Sequence, residues 1–142
     1  MQILLVEDNR DDEELTLLTL EEHHIIEDVK VVRDGVEALD YLFSTGTYAH
    51  QNLSLPQMIL LDVKLPKVDG IEVLARVKSD VRTRKIPVVI LTSSREEPDI
   101  QRSYELGANS YVVKPVDFDE FKDAIKRIGF YWQNLNVPPA IP

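Results

Sequence analysis

The stretch LLDVKLPKVDG, residues 60–70, runs from leucine directly into an aspartate. The run before it, Met58-Ile59-Leu60-Leu61, is continuously apolar with no alternation, as in a strand buried on both faces. A carboxylate at the rim of a core is costly unless it is paired, bound to metal or open to a cleft. Asp62 therefore needs partners. Pro66 and Asp69-Gly70 mark a turn close behind it, so the partners have to come from elsewhere in the chain.

Four further segments have the same strand character: Ile3–Val6, Val88–Leu91, Tyr111–Val113 and, more weakly, Val29–Val32. Helical patterns lie between them. Asp11 to His24 opens on four acids, which favour a helix N-terminus. Val36, Leu39 and Phe43 mark a second helix, and Ile71, Leu74 and Val77 a third. Pro98 to Leu106 forms a fourth, with Pro in its first turn and Gly107 as its stop. Phe118, Phe121, Ile125 and Ile128 form the apolar stripe of a fifth. Five strand–helix alternations predict an α/β fold with a five-stranded parallel sheet covered on both faces. Ser44 to Gln57 is a long polar loop, and Phe130 to Pro142 an aromatic, then proline-rich tail. The expected division is a globular unit over 1–129 and an extension over 130–142.

The 142 residues carry a net charge of −9 and no cysteine. Disulfide and thiol chemistry are excluded, and a reducing cytoplasm is the expected setting. An acidic chain is a poor nucleic-acid binder. No apolar run approaches the roughly 20 residues of a membrane span, and Met1 leads straight into a strand without a basic leader segment. His23, His24 and His50 read as surface residues.

The polar clusters all follow predicted strands: Glu7-Asp8, Asp62, Thr92-Ser93-Ser94 and Lys114-Pro115. In an open parallel sheet these ends share one edge, where ligands bind at the reversal of strand order. Clustered carboxylates repel, and a hard cation such as Mg²⁺ relieves the repulsion through oxygen ligands. A lysine beside a cation site makes sense if an anion joins it. Cation, lysine and hydroxyl suit a phosphoryl group, and a carboxylate can itself be the nucleophile.

In this order the clusters resemble the receiver domain of two-component response regulators over about residues 2–128. The stretches VRDGVEALDYLF, LTSSREE and GANSYVVKPVDF resemble, more narrowly, the small stand-alone regulators of cyanobacterial phytochromes. The resemblance implies the flavodoxin-like (βα)5 fold with strand order 2-1-3-4-5. It implies that Asp62 accepts a phosphoryl group from the phosphohistidine of a sensor kinase of phytochrome type. Mg²⁺ would be held by Asp8, Asp62 and the backbone carbonyl of Lys64, with Glu7 acting through water. Lys114 would pair with Asp62 and then with the phosphoryl oxygens. Thr92 and Tyr111 would be the switch pair, and Lys114–Pro115 a cis peptide. Glu7 departs from the family pattern, where Asp is common.

Three other functions compete. A hydrolase with an aspartate nucleophile would want Asp-x-Asp after the first strand, and Glu7-Asp8-Asn9 lacks it. A flavin carrier would want a Ser/Thr-rich phosphate loop where this chain has acids. A phosphorylation-silent interaction domain would not need the intact acid, hydroxyl and lysine set. With no output domain in the sequence, the signal would leave through protein contact or pass to a phosphotransfer protein. The aromatic tail, with Phe130, Tyr131 and Trp132, suggests a homodimer, the alternative being a tail folded back on its own domain.

Overall fold

Strands that are apolar on both faces set the architecture. In the computed structural model, which describes residues 2–22, 28–51 and 54–141, five parallel strands pair in the order β2-β1-β3-β4-β5. They are β1 (Gln2–Val6), β2 (Asp28–Val32), β3 (Met58–Leu61), β4 (Val88–Thr92) and β5 (Ser110–Val113). The helices are α1 (Arg10–Glu22), α2 (Gly35–Phe43), α3 (Gly70–Ser79), α4 (Glu97–Leu106) and α5 (Phe118–Phe130). Fold class and strand order match the expectation. His23 and His24, the predicted end of the first helix, lie outside the described residues.

Successive side chains of a strand point to opposite faces, so each central strand feeds two cores. Leu4, Val6, Ile59, Leu61, Val88 and Ile90 face α2 and α3, where Ala38, Leu42, Val73, Leu74 and Val77 are buried. Ile3, Leu5, Met58, Leu60, Val89 and Leu91 face α1 and α5, where Leu20, Phe121 and Ile125 are buried. β3 and β4 are accordingly buried throughout and β1 from Ile3 onward, whereas the edge strands β2 and β5 are buried only in part.

Caps fix the helix starts that matter for the site. Asp34, Asp69 and Asp117 accept backbone N–H bonds from Glu37, Ile71 and Glu120 at 2.8, 3.2 and 3.0 Å. Asp69-Gly70 is thus a helix entry rather than the turn its composition suggests. Gly107 ends α4 in the left-handed region at φ 106°, as predicted.

Three apolar positions differ from the stripe pattern. Leu18, Val36 and Phe118 are exposed; Leu18 and Phe118 wall an open groove between α1 and the start of α5 instead of entering the core. The long loop holds a short 3-10 turn, Gly46–Tyr48. The chain stays helical past the expected boundary at residue 129: α5 continues as a π-helical turn, Tyr131–Leu135, before Pro138 and Pro139. Trp132 packs on the α1–α5 core, while Phe130 and Tyr131 are exposed. The tail then returns beneath the sheet. Ile141 packs against the other core, and with Pro139 and Ala140 it walls a cavity also lined by Gln2, Phe43 and Arg82. No helix among the described residues is long and apolar enough to cross a membrane.

Candidate functional site: an acidic pocket at the sheet's switch point

The chain passes from β1 outward to β2 and returns to β3, so strand order reverses between β1 and β3. Glu7-Asp8 and Asp62 follow those two strands and flank the crevice where such sheets bind ligands. Oxygens of Glu7, Asp8 and Asp62 all lie within 4.8 Å of one another. Glu7 and Asp62 are buried and Asp8 is exposed at the mouth.

The Lys114 ammonium joins this cluster from the end of β5. It donates to Glu7 Oε1 at 2.7 Å, Asp12 Oδ2 at 2.8 Å and Asp62 Oδ2 at 3.0 Å. Asp62 Oδ1 accepts from the Thr92 hydroxyl at 2.7 Å and the Lys64 N–H at 3.1 Å. Both oxygens of Asp62 are thus engaged, which accounts for a carboxylate at the end of an apolar strand. Burial pushes the Glu7 carboxyl up to about 7, with the Lys114 ammonium offsetting it only in part. For Lys114 burial acts downward, and the bond to Asp12 together with Asp62 and Glu7 outweighs it, so the ammonium is held charged.

The Lys114–Pro115 peptide is trans, against the expectation of cis. The intrinsic X-Pro preference is trans by about 0.5–1 kcal/mol. Lys114 is already placed by its N–H bond to the Thr92 carbonyl, 2.7 Å, and its side chain reaches all three acids from there. Nothing in these contacts calls for the other isomer.

Thr92 is fully buried at the end of β4, aimed at Asp62. Tyr111 is half-buried on β5, and its hydroxyl donates to the Ser94 carbonyl at 3.0 Å. Ser94 connects the two: its N–H approaches Thr92 Oγ1 at 3.3 Å, and its own hydroxyl donates to Asp99 Oδ2 at 2.6 Å. Lys64 brings its N–H to Asp62, but its ammonium points away to Asp99 and Glu96, at 3.2 and 3.6 Å. His50 is an exposed loop residue.

Sequence reasoning missed Asp12, Glu13 and Arg33. The acids at 11–14 read as a helix start, and they are one: Asn9 caps α1 by accepting the Asp12 N–H at 3.0 Å. Yet that cap turns Asp12 onto Lys114, while the neighbouring Glu13 is buried and takes a two-pronged bond from Arg33, 2.9 and 3.0 Å. The capping spacing Asn9-x-x-Asp12 was the available signal, since it fixes which acid faces the strand ends.

The donor set suits a hard cation. It offers carboxylate oxygens and no imidazole or thiolate, the composition that favours Mg²⁺ or Mn²⁺ over zinc or copper. One ammonium against Glu7, Asp12 and Asp62, with Asp8 alongside, leaves the pocket with excess negative charge for a cation to neutralise.

A parallel sheet with acids, a hydroxyl and a lysine gathered at its switch point is the architecture of a doubly wound α/β ligand-binding domain. Residues 3–126 match the response regulator receiver domain family, and the chain belongs to that family. It is 38% identical over 138 residues to the response regulator Rcp1 of Synechocystis sp. (strain ATCC 27184 / PCC 6803 / Kazusa), covering 97% of this chain and 92% of that protein. The manganese-bound form of Rcp1 superposes with a TM-score of 0.92, covering 98% of this chain and 99% of that one. The phosphorylated cyanobacterial phytochrome response regulator RcpA is 42% identical, with a TM-score of 0.92 and 98% of both chains covered. The bacteriophytochrome response regulator AtBRR is 57% identical, with a TM-score of 0.74, over 96% of this chain and 97% of that one.

Proposed function

We propose that this protein is a phosphorylation switch in which Asp62 takes a phosphoryl group from the phosphohistidine of a sensor kinase. The observation that carries the proposal is the Asp62 carboxylate held at once by Thr92 and Lys114 beside two further acids. An Asp62 oxygen attacks phosphorus, the P–O bond forms as the P–N bond to imidazole breaks, and the electron pair leaves with the imidazole nitrogen, which takes up a proton. Lys114, already bonded to Asp62, follows the charge onto the phosphoryl oxygens. Thr92 does the same from the other side, and Tyr111 moves with it because both are tied to Ser94.

Asp8, Asp62 and the Lys64 backbone carbonyl would hold Mg²⁺, with Glu7 acting through water; the bound ion supplies charge neutralisation for the phosphoryl oxygens. Self-phosphorylation from phosphohistidine and slow loss of the group are the only chemistry assigned.

Similarity to the cyanobacterial phytochrome response regulator RcpA and to the bacteriophytochrome response regulator AtBRR supports a phytochrome-type kinase as donor. The encounter would take place in the cytoplasm. Residues 1–129 would act as the receiver, passing the signal by contact or to a phosphotransfer protein. Residues 130–142 would serve as the extension, and exposed Phe130, Tyr131 and Leu135 support a role in a homodimer.

The deciding experiment is incubation with acetyl phosphate and Mg²⁺ followed by intact mass and peptide mapping. One phosphoryl on Asp62 is expected, and none on Asp62→Asn. Undiminished labelling of that variant would refute the assignment. Phosphotransfer from purified kinases at short times tests the donor: a phytochrome-type kinase is expected to outpace unrelated ones. Light scattering of the full chain tests the dimer, which a monomer at high concentration with and without phosphoryl would rule out.

A further inference from the structure

Asp99 stands in the first turn of α4, and its Oδ2 takes two donors from two different loops. One is the Ser94 hydroxyl at 2.6 Å, from the segment after β4; the other is the Lys64 ammonium at 3.2 Å, from the segment after β3. Glu96, the residue before the helix, lies 3.6 Å from the same ammonium. The Lys64 backbone N–H meanwhile bonds Asp62. Lys64 is therefore anchored at the acceptor by its main chain while its charge is parked on α4. Asp99 is only slightly exposed, and its carboxylate holds the Ser94 hydroxyl and the Lys64 ammonium together.

Phosphorylation would exchange the single charge of the Asp62 carboxylate for the roughly two of an acyl phosphate, about one further negative charge, carried outward within two residues of Lys64. That group and Asp99 would then compete for one ammonium. We propose that Asp99 is a positioning residue that holds Lys64 off the acceptor in the resting state, and that phosphorylation draws Lys64 away and so unfastens the first turn of α4. The device converts charge at Asp62 into release of a helix through one long side chain. It rests on Asp62 being the acceptor. It adds a second route to α4 beside the Thr92–Ser94 link, and it assigns the Lys64 side chain a role that its backbone does not perform.

The test measures the half-life of the phosphoryl group after labelling with acetyl phosphate and Mg²⁺, in wild type, Asp99→Asn, Lys64→Met and the double variant. Asn keeps an acceptor for the Ser94 hydroxyl but lacks the charge that detains Lys64. Freed Lys64 then pairs with the phosphoryl group, and the half-life lengthens about two- to fivefold, the range for an ion pair of this exposure. In the Lys64→Met background Asp99→Asn changes nothing. Urea midpoints of all four report folding independently. A half-life unchanged or shortened in folded Asp99→Asn overturns the inference, as does an effect that persists without Lys64. Failure of the wild type to take label on Asp62 overturns the acceptor assignment and this inference with it.

Discussion

Gly70 lies against the main chain of Asp62: a methyl group placed on Gly70 would overlap the Asp62 carbonyl oxygen and press on the Val63 backbone. The Gly70 N–H also bonds the Val63 carbonyl at 2.9 Å. The start of α3 is thus folded onto the strand end that presents Asp62. Gly70→Ala is expected to lower stability by about 1–3 kcal/mol, as overpacking does, and to slow labelling of Asp62. Urea unfolding and labelling kinetics check the two effects. A variant with wild-type values of both would show that the backbone yields freely there.

The glycine also marks what the sequence made legible. Apolar runs ending in Asp62, Thr92 and Lys114 located the strands within a residue or two, because strands buried on both faces leave little room for polar residues. The shared edge followed from parallel strands, and the convergence of Glu7, Asp8, Asp62, Thr92 and Lys114 with it. What stayed hidden was set by side-chain direction. Asp12 and Asp11 are both acids in a first turn, and only the former reaches Lys114. Asp99 reads as an ordinary helix-start acid, and its two donors arrive from segments five and thirty-five positions away. The trans Lys114–Pro115 bond was missed because the expectation came from resemblance, not from any property of these residues.

Divalent metal is expected to stabilise the native state. A ligand at one hundred times its dissociation constant contributes about 2.7 kcal/mol when it binds the folded form alone. Thermal unfolding in chelator and then in rising Mg²⁺ should show a saturable increase in midpoint. Asp8→Asn removes an exposed charge that the described contacts give no protein partner, so it should weaken the response with little loss in chelator. An equal response in that variant would place the metal elsewhere.

Arg33 is expected to matter more than a surface arginine does. Its fork closes on buried Glu13, and Arg33→Ala would leave that carboxylate unpaired and lower the urea midpoint. Arg33→Lys should recover only part of it, since an ammonium cannot make the paired bonds. Urea midpoints of the two variants decide this; equal values for both and for wild type would mean that Glu13 is satisfied without Arg33.

Ile141 tests the returning tail. Packed against the core beneath the sheet, it should contribute about 1 kcal/mol through apolar area removed from water. Ile141→Ser is expected to lower the urea midpoint accordingly, whereas Val137→Ser, on an exposed neighbour, should not. Two identical midpoints would mean that the tail is not held there in solution.

The chain has one tryptophan, Trp132, and it packs against the core on the α1–α5 side of the sheet. Its emission is therefore a built-in optical probe of one layer only. Docking of a partner along α1 and α5 should shift its spectrum. Rearrangement of α4, on the other layer, should leave it dark to the spectrometer unless the change crosses the sheet. A colour change on phosphorylation would then report coupling between the two faces without any added dye.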